Sequence, residues 1–370
     1  MSELASESSS QGDRERRRRA WRGDVVSRVS DATGNVLDKV LRGGVADLRP
    51  MPRTLIDKGP NRSVYRFVGG DPRGEPVLLV PPLAAPALCF DLRRGCSLAE
   101  HLVDDGRRLY LVDYGTVRFS DRRLGLEHWI DEVLPRTVRA VSKDAGGAPV
   151  HVVAWCLGGI LSLLTHADQA DLPIASIATV AAPIDMTAIP LIAPIKPLAD
   201  LTNGWILTPV YRLLGGAPRA LVKRAFQLSA FDKMVTKPYA IASHLDDRDF
   251  LAQLEAVDRF TDNMVAYPGR TFGQMYHRFF RANDLAEGEV DFGGRRISLR
   301  EVKAPVLVVA GTGDGIAPQR AVHKLVDVLD NAAEVRFETA PGGHLGVLAG
   351  RGARATTWRH IDDFLDTHAG

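Results

Sequence analysis

Residues 151–164, HVVAWCLGGILSLL, run apolar and β-branched into a cysteine, turn at two glycines, and continue apolar at helical spacing. A buried strand followed by a sharp elbow and a helix is the local grammar of a nucleophile elbow, usually written G-x-S-x-G. Here Cys156 takes the serine position, Ala154 the first glycine position and Gly158 the second. The two glycine positions sit where strand and helix crowd together, so both must be small, and alanine is the next smallest choice. A strand that is apolar along its whole length must be covered on both faces, which requires a sheet sandwiched by helices.

The rest of the chain agrees. Strand patterns occur at PVLLVPP (76–82), RLYLVDYG (108–115), PVHVVAW (149–155), IASIATVAAP (174–183), PVLVVAGTGD (305–314) and EVRFETAPG (334–342). Helical patterns such as SLAEHLVDDG, LEHWIDEVLPRTVRAV and PQRAVHKLVDVLDN lie between them. This alternation predicts an α/β class with a mostly parallel sheet and helices on both faces. The core is expected over 63–185 and 301–370. Between them, 186–300 breaks the alternation with Pro190, Pro194, Pro197, Pro209 and Pro218, and is expected to form an inserted helical cap closing over Cys156. Residues 25–62 form an amphipathic N-terminal segment, with Val25, Val29, Val36, Val40, Leu41, Val45 and Leu48 near one helical face. Residues 1–24, including RERRRRAWRG, are expected to be a disordered basic tail.

Composition narrows the function. The 370 residues are 45% hydrophobic and 25% charged with a formal net charge of +2, an ordinary globular balance that makes no case for specific nucleic-acid binding. The three cysteines, Cys89, Cys96 and Cys156, are too few for a disulfide framework, which points to a reducing, cytoplasmic compartment. No apolar stretch follows the N-terminal arginines, and GWILTPVYRLLGG is too short to span a bilayer and carries Pro209 and Arg212.

An elbow nucleophile needs a base, and the base needs an orienting carboxylate. Asp314 ends PVLVVAGTGD, and His344 follows the next strand in GGHLGVLAG. Taken singly, a cysteine in an apolar run is usually a small core residue, an aspartate in a turn is ordinary, and a histidine in a glycine loop signifies little. Together they occur in the order nucleophile, acid, histidine, each just past the carboxyl end of a strand, where open α/β sheets bind ligands. Cys156, Asp314 and His344 are therefore the candidate triad. The oxyanion donors are expected to be the backbone N–H of Leu157 and that of Leu83 or Ala84 in the loop PPLAAPA. Arg219, Lys223 and Arg224 in APRALVKRAF are candidates for the phosphates of coenzyme A, against the plainer reading of a solvated helix face. Cys89 and Cys96 are read as structural, and His128, His151 and His277 as chemically idle, because none follows a sheet strand. A thiolate suits acyl transfer from a thioester, because the acyl-enzyme keeps the activation of the substrate. The chemistry calls for no metal or cofactor beyond the coenzyme A thioester as substrate.

From about residue 76 to 370 the chain resembles the polyhydroxyalkanoate synthases, nearest the short two-component type, within the α/β-hydrolase superfamily. The resemblance rests on FDLRRGCSLAEHLVDDGRRLYLVDYG, on WCLGG, on APID, on NDLAEGEVDFGGRRISLREVKAPVLVVAGTGDGIAP and on GGHLGV, in that order. It implies an α/β-hydrolase fold, with Cys156 as the acyl-bearing nucleophile, His344 as general base and Asp314 as its partner carboxylate. It further implies polymerisation of (R)-3-hydroxyacyl-CoA with release of coenzyme A. The partners it implies are an accessory synthase subunit, a second copy of the chain and a polymer-granule surface. The chain departs from the family pattern at Ala154, at Ala85 in place of an asparagine, at Leu88 in place of an aromatic, and at Tyr114 in place of a tryptophan. A thioesterase or a diverged transferase on the same triad, and a non-catalytic granule- or membrane-associated protein, are the alternative readings.

Overall fold

In the computed structural model the described residues are 28, 30–35, 38, 44–71, 73–190, 216–228 and 239–369, with the side chains of 225–228 set aside. Contacts divide the chain into two compact units, residues 1–47 with 232–258, and residues 48–231 with 259–370.

The second unit is built on an eight-stranded sheet. Its strands are β1 (Arg53–Gly59), β2 (Arg62–Phe67), β3 (Pro76–Val80), β4 (Arg108–Asp113), β5 (Val150–Trp155), β6 (Ile174–Val180), β11 (Val306–Gly311) and β12 (Val335–Ala340). The order across the sheet is β1-β2-β4-β3-β5-β6-β11-β12. From β4 to β12 every pairing is parallel, and β1 and β2 add an antiparallel edge. Every residue of β3, β5 and β11 is buried, as their unbroken apolar runs require. The helix Leu157–Asp168, which leaves the elbow, is buried from Leu157 through His166, so it is a core helix rather than an amphipathic surface one.

All six strand patterns read from the sequence lie in this sheet. The sheet starts at Arg53, however, and not at 63, so the end of the expected amphipathic segment 25–62 is strand β1 and its turn. Asn61 holds the turn with φ +49°, a conformation asparagine tolerates. Strand β1 is an edge with three exposed leading residues, which leaves little hydrophobic alternation to read.

The insertion 186–300 is divided. Residues 191–215 and 229–238 lie outside the described residues, and 232–258 group with the N-terminal unit. Within the larger unit the insertion contributes the helix Arg219–Leu228, a helix from Gly269 that continues through wider turns to Arg281, and two small antiparallel pairs. These pairs are β7 (Gly216–Ala217) with β8 (Tyr267–Pro268), and β9 (Glu289–Asp291) with β10 (Arg296–Ser298).

In the N-terminal unit, Val45 is buried against Leu251 and Ala252, with Ala46, Ile241 and Phe250 around them. The Glu255 carboxylate accepts the N–H groups of Val45 and Ala46 at 2.8 and 3.0 Å. Val45 thus buries the one position of the expected apolar face that this unit describes. Val25, Val29, Val36, Val40 and Leu41, and the basic tail 1–24, lie outside the described residues.

Candidate active site

Cys156 sits at the junction of β5 and the helix Leu157–Asp168 with φ +52° and ψ −123°, a left-handed conformation that an L residue adopts only under constraint. The constraint is visible. Its N–H donates to the Val180 carbonyl at 2.8 Å, and its own carbonyl accepts from Gly159 at 3.0 Å and Ile160 at 3.3 Å. The helix can approach β3 because Gly158 lacks a side chain, since a Cβ there would stand 2.5 Å from the Val80 carbonyl oxygen and 2.8 Å from that of Pro81. Ala154, at the other small position, is fully buried.

His344 lies in the turn between β12 and a short helix, Gly346–Ala349. Gly342, at φ +139°, makes that turn possible, because a Cβ there would meet the Val347 nitrogen at 2.7 Å. The Nδ1 of His344 is 2.8 Å from Asp314 Oδ2, with the Asp314 side chain wholly buried. Asp314 Oδ1 accepts the N–H groups of Ile316 at 2.8 Å and Ala317 at 2.9 Å. Burial disfavours the Asp314 charge, yet the imidazolium and these donors prevail and hold its pKa below the usual carboxylate range. Burial likewise disfavours an imidazolium at His344, but the negative charges of a Cys156 thiolate and of Asp314, with hydrogen bonds to both, raise it to about 10. The structure therefore brings Cys156, His344 and Asp314 together in one electrostatic unit, with Cys156 partly accessible and the other two enclosed.

Three backbone N–H groups lie just past the carboxyl ends of the neighbouring parallel strands β3 and β5. Among the described residues, the N–H groups of Leu83, Ala84 and Leu157 have no hydrogen-bond partner. Leu157 is the first residue of its helix, where an N–H has no intrahelical acceptor and the helix dipole favours negative charge.

The alpha/beta hydrolase fold family matches residues 75–350, three quarters of the chain and the whole span from β3 to the loop after His344. The chain belongs to the α/β-hydrolase fold family. An esterase from Thermogutta terrifontis (TM-score 0.50, 12% identity) and esterase RhEst1 from Rhodococcus (TM-score 0.51, 15% identity) share the fold. They cover 86% and 87% of this chain and all of their own. The chain is also similar to the poly(3-hydroxyalkanoate) polymerase subunits PhaC of Allochromatium vinosum and Thiocystis violacea, at 24% identity over 88% of this chain and 91% of each relative. The PhaC of Synechocystis is 23% identical over 80% of this chain and 79% of its own length. Within the α/β-hydrolase superfamily, these similarities support a place for the chain among the polyhydroxyalkanoate synthases.

The remaining residues singled out by sequence sort by environment. Lys223 is paired with Asp262 at 2.6 Å, which occupies its charge, while Arg219 and Arg224 are exposed on the helix Arg219–Leu228. Cys89 and Cys96 are buried free thiols. Burial pushes the Cys89 thiol up, and Cys96 Sγ lies 3.6 Å from the carbonyls of Ala349 and Gly350. His151 points from β5 between Ser176 Oγ and Glu75, 2.8 Å from each, away from the carboxyl ends of the strands. Tyr114, one of the departures, is buried edge-on to Trp129 with ring centroids 6.5 Å apart.

Sequence reasoning missed Trp155 and Phe260. Trp155 Nε1 donates to the His344 carbonyl at 3.2 Å, and its ring lies 5.1 Å from the His344 ring and 5.9 Å from that of Phe260. Val265, between Phe260 and Tyr267, donates its N–H to the Ala84 carbonyl at 2.9 Å. The only available signal for Trp155 was a bulky aromatic directly before an elbow nucleophile. Among the described residues, no helix is long and apolar enough to cross a membrane.

Proposed function

We propose that this chain is a cysteine-dependent acyltransferase that polymerises (R)-3-hydroxyacyl-CoA and releases coenzyme A. The observation that carries the reading is Cys156 on a positive-φ elbow beside His344, whose Nδ1 is held 2.8 Å from Asp314. Similarity to polymerase subunits named PhaC supplies the substrate class.

In the first step the Cys156 thiolate attacks the thioester carbonyl, with the developing oxyanion facing the N–H groups of Leu157 and of Leu83 or Ala84. The C–S bond to coenzyme A breaks, and the departing thiolate takes the His344 proton. In the second step a substrate hydroxyl attacks the Cys156 thioester and gives its proton to His344. A C–O ester bond forms, the Cys156 C–S bond breaks, and the thiolate is restored. Asp314 orients the ring and stabilises the imidazolium in both steps. Arg219 and Arg224 are the remaining candidates for the coenzyme A phosphates. An accessory subunit, a second copy of the chain or preformed polymer would act by shortening a lag.

The test is coenzyme A release from (R)-3-hydroxybutyryl-CoA, with and without accessory subunits of the PhaC relatives, and analysis of the product. Insoluble polyester supports the proposal. Free hydroxy acid reassigns the triad to hydrolysis, and no thiol release in any combination points to a non-catalytic protein.

A further inference from the structure

Residues 259–265 close the helix Arg248–Asp262 and belong to the unit that carries the sheet. The Arg259 guanidinium donates to the Leu48 carbonyl, ahead of β1. The Val265 N–H donates to the Ala84 carbonyl at 2.9 Å, in the loop that carries the expected oxyanion donors. Between these two anchors the Phe260 ring lies 5.9 Å from the ring of Trp155, tilted by 58°. The Phe260 carbonyl accepts the Asn263 N–H at 3.0 Å, and Asn263 Nδ2 donates to the Arg259 carbonyl at 2.8 Å, which closes the turn that presents the ring.

Phe260 and Trp155 are both fully buried. The Trp155 ring also lies 5.1 Å from that of His344, and its Nε1 donates to the His344 carbonyl at 3.2 Å. That bond is at the long end of the N–H···O range, so it holds the indole only weakly by itself. Rotation about either side-chain torsion of Trp155 would carry Nε1 off the carbonyl. A second ring packed on the indole takes away the room for that rotation, because a close-packed interior leaves no void for a swung ring. His344 needs such support, since Gly342, Gly343 and Gly346 flank it and add little stiffness to its loop.

We propose that Phe260 is a positioning residue that, by packing on Trp155, holds the indole against the His344 loop and so sets the alignment of the base from within the insertion. The inference rests on the reading of Cys156 and His344 as nucleophile and base. Residues 259–265 then serve both flanks of the reaction centre, His344 through Phe260 and Trp155, and the loop after β3 through Val265 and Ala84. A residue that acts this way affects the chemical step rather than substrate binding, because misplacing the base raises the barrier and leaves the ligand's own contacts in place.

The test uses the full-length protein with Phe260→Leu, with Trp155→Phe and with both. In Phe260→Leu, coenzyme A release from (R)-3-hydroxybutyryl-CoA is expected to lose about 10-fold in kcat with KM within about twofold of the parent. In the Trp155→Phe background the further loss is expected to be only about twofold, because the link through which Phe260 acts is already cut. Iodoacetamide labelling of Cys156 at pH 7, read by mass spectrometry of its peptide, needs no acyl transfer and is expected to slow about 10-fold in Phe260→Leu. Phe260→Met keeps most of the volume and is expected to lose about threefold in both readouts, and it carries the same comparisons where Phe260→Leu fails to fold. Losses that multiply to about 100-fold in the double variant, a loss borne by KM alone, or labelling at the parent rate overturns the inference. Slowed labelling with no coenzyme A release from any of the proteins, the parent included, supports the inference and removes the acyltransferase reading. Coenzyme A release that is indifferent to Phe260 removes the inference alone.

Discussion

The indole Nε1 of Trp155 donates to the backbone carbonyl of His344 at 3.2 Å, and the two rings lie 5.1 Å apart. The residue before Cys156 on the elbow therefore holds the loop that carries His344. The elbow fixes the Cys156 backbone at positive φ, Asp314 fixes the imidazole plane, and Trp155 fixes the loop from which that imidazole hangs.

Trp155→Phe removes the hydrogen bond to His344 together with part of a fully buried ring. The expected result is a loss of about 1–3 kcal/mol in stability, from the lost donor and the cavity left behind, and a fall in kcat of about 10-fold with little change in KM. Thermal unfolding and steady-state coenzyme A release measure the two. An unchanged kcat would show that the His344 loop is held by its other contacts.

Cys156→Ala should abolish coenzyme A release while leaving the unfolding transition near that of the parent protein. Cys156→Ser asks the same elbow to generate an alkoxide from a far weaker acid, and an at least ~100-fold loss, about 2.7 kcal/mol in the barrier, is expected. Alkylation of Cys156 should be slowed by acyl-CoA, and mass spectrometry of the labelled peptide checks it.

The pH dependence follows from His344, whose pKa is raised to about 10. In the proposed mechanism its proton goes to the departing coenzyme A, so kcat/KM should decline as pH rises through about 10. The folded state also loses the stabilisation of this imidazolium over that rise, a contribution fully present below the unfolded pKa. Asp314 behaves oppositely. Its depressed pKa contributes stability above the ordinary carboxylate range, lost as pH falls through the folded value. Asp314→Asn removes a negative charge from His344, so the alkaline limb should move to lower pH. Single-turnover acylation should survive that substitution better than the hydroxyl-dependent step, because a thiol ionises more readily than an alcohol. His344→Gln should depress both steps.

Gly158→Ala places a methyl 2.5 Å from the Val80 carbonyl oxygen, a backbone atom that cannot swing aside. A destabilisation of about 1–3 kcal/mol, read as a lowered Tm, is expected with a loss of activity as the loop after β3 moves. Gly159→Ala meets only Ala182 Cβ at 3.0 Å and Thr179 side-chain atoms at 3.2 Å, and should cost less.

The local signals in the sequence were sufficient for the parallel sheet and for the positions of Cys156, Asp314 and His344 beyond strand ends. Hydrophobic runs of strand length, turn glycines and helical periodicity are properties of neighbouring residues, so they can be read along the chain. Strand β1 escaped because an exposed edge has little burial to pattern it, and the cap was read as one body because proline punctuation marks breaks without saying which pieces pack together.

The sequence by itself determined which residues could do thiol chemistry and in what order the chain presents them. Only the tertiary structure decided their geometry. The Trp155 hydrogen bond spans 189 residues, and the Asp314 to His344 contact spans 30. The approach of Val265 to Ala84 and of Phe260 to Trp155 likewise joins the insertion to the core. Such contacts depend on the sheet order bringing distant strand ends to one edge, and no local period encodes which side chain will then lie against which.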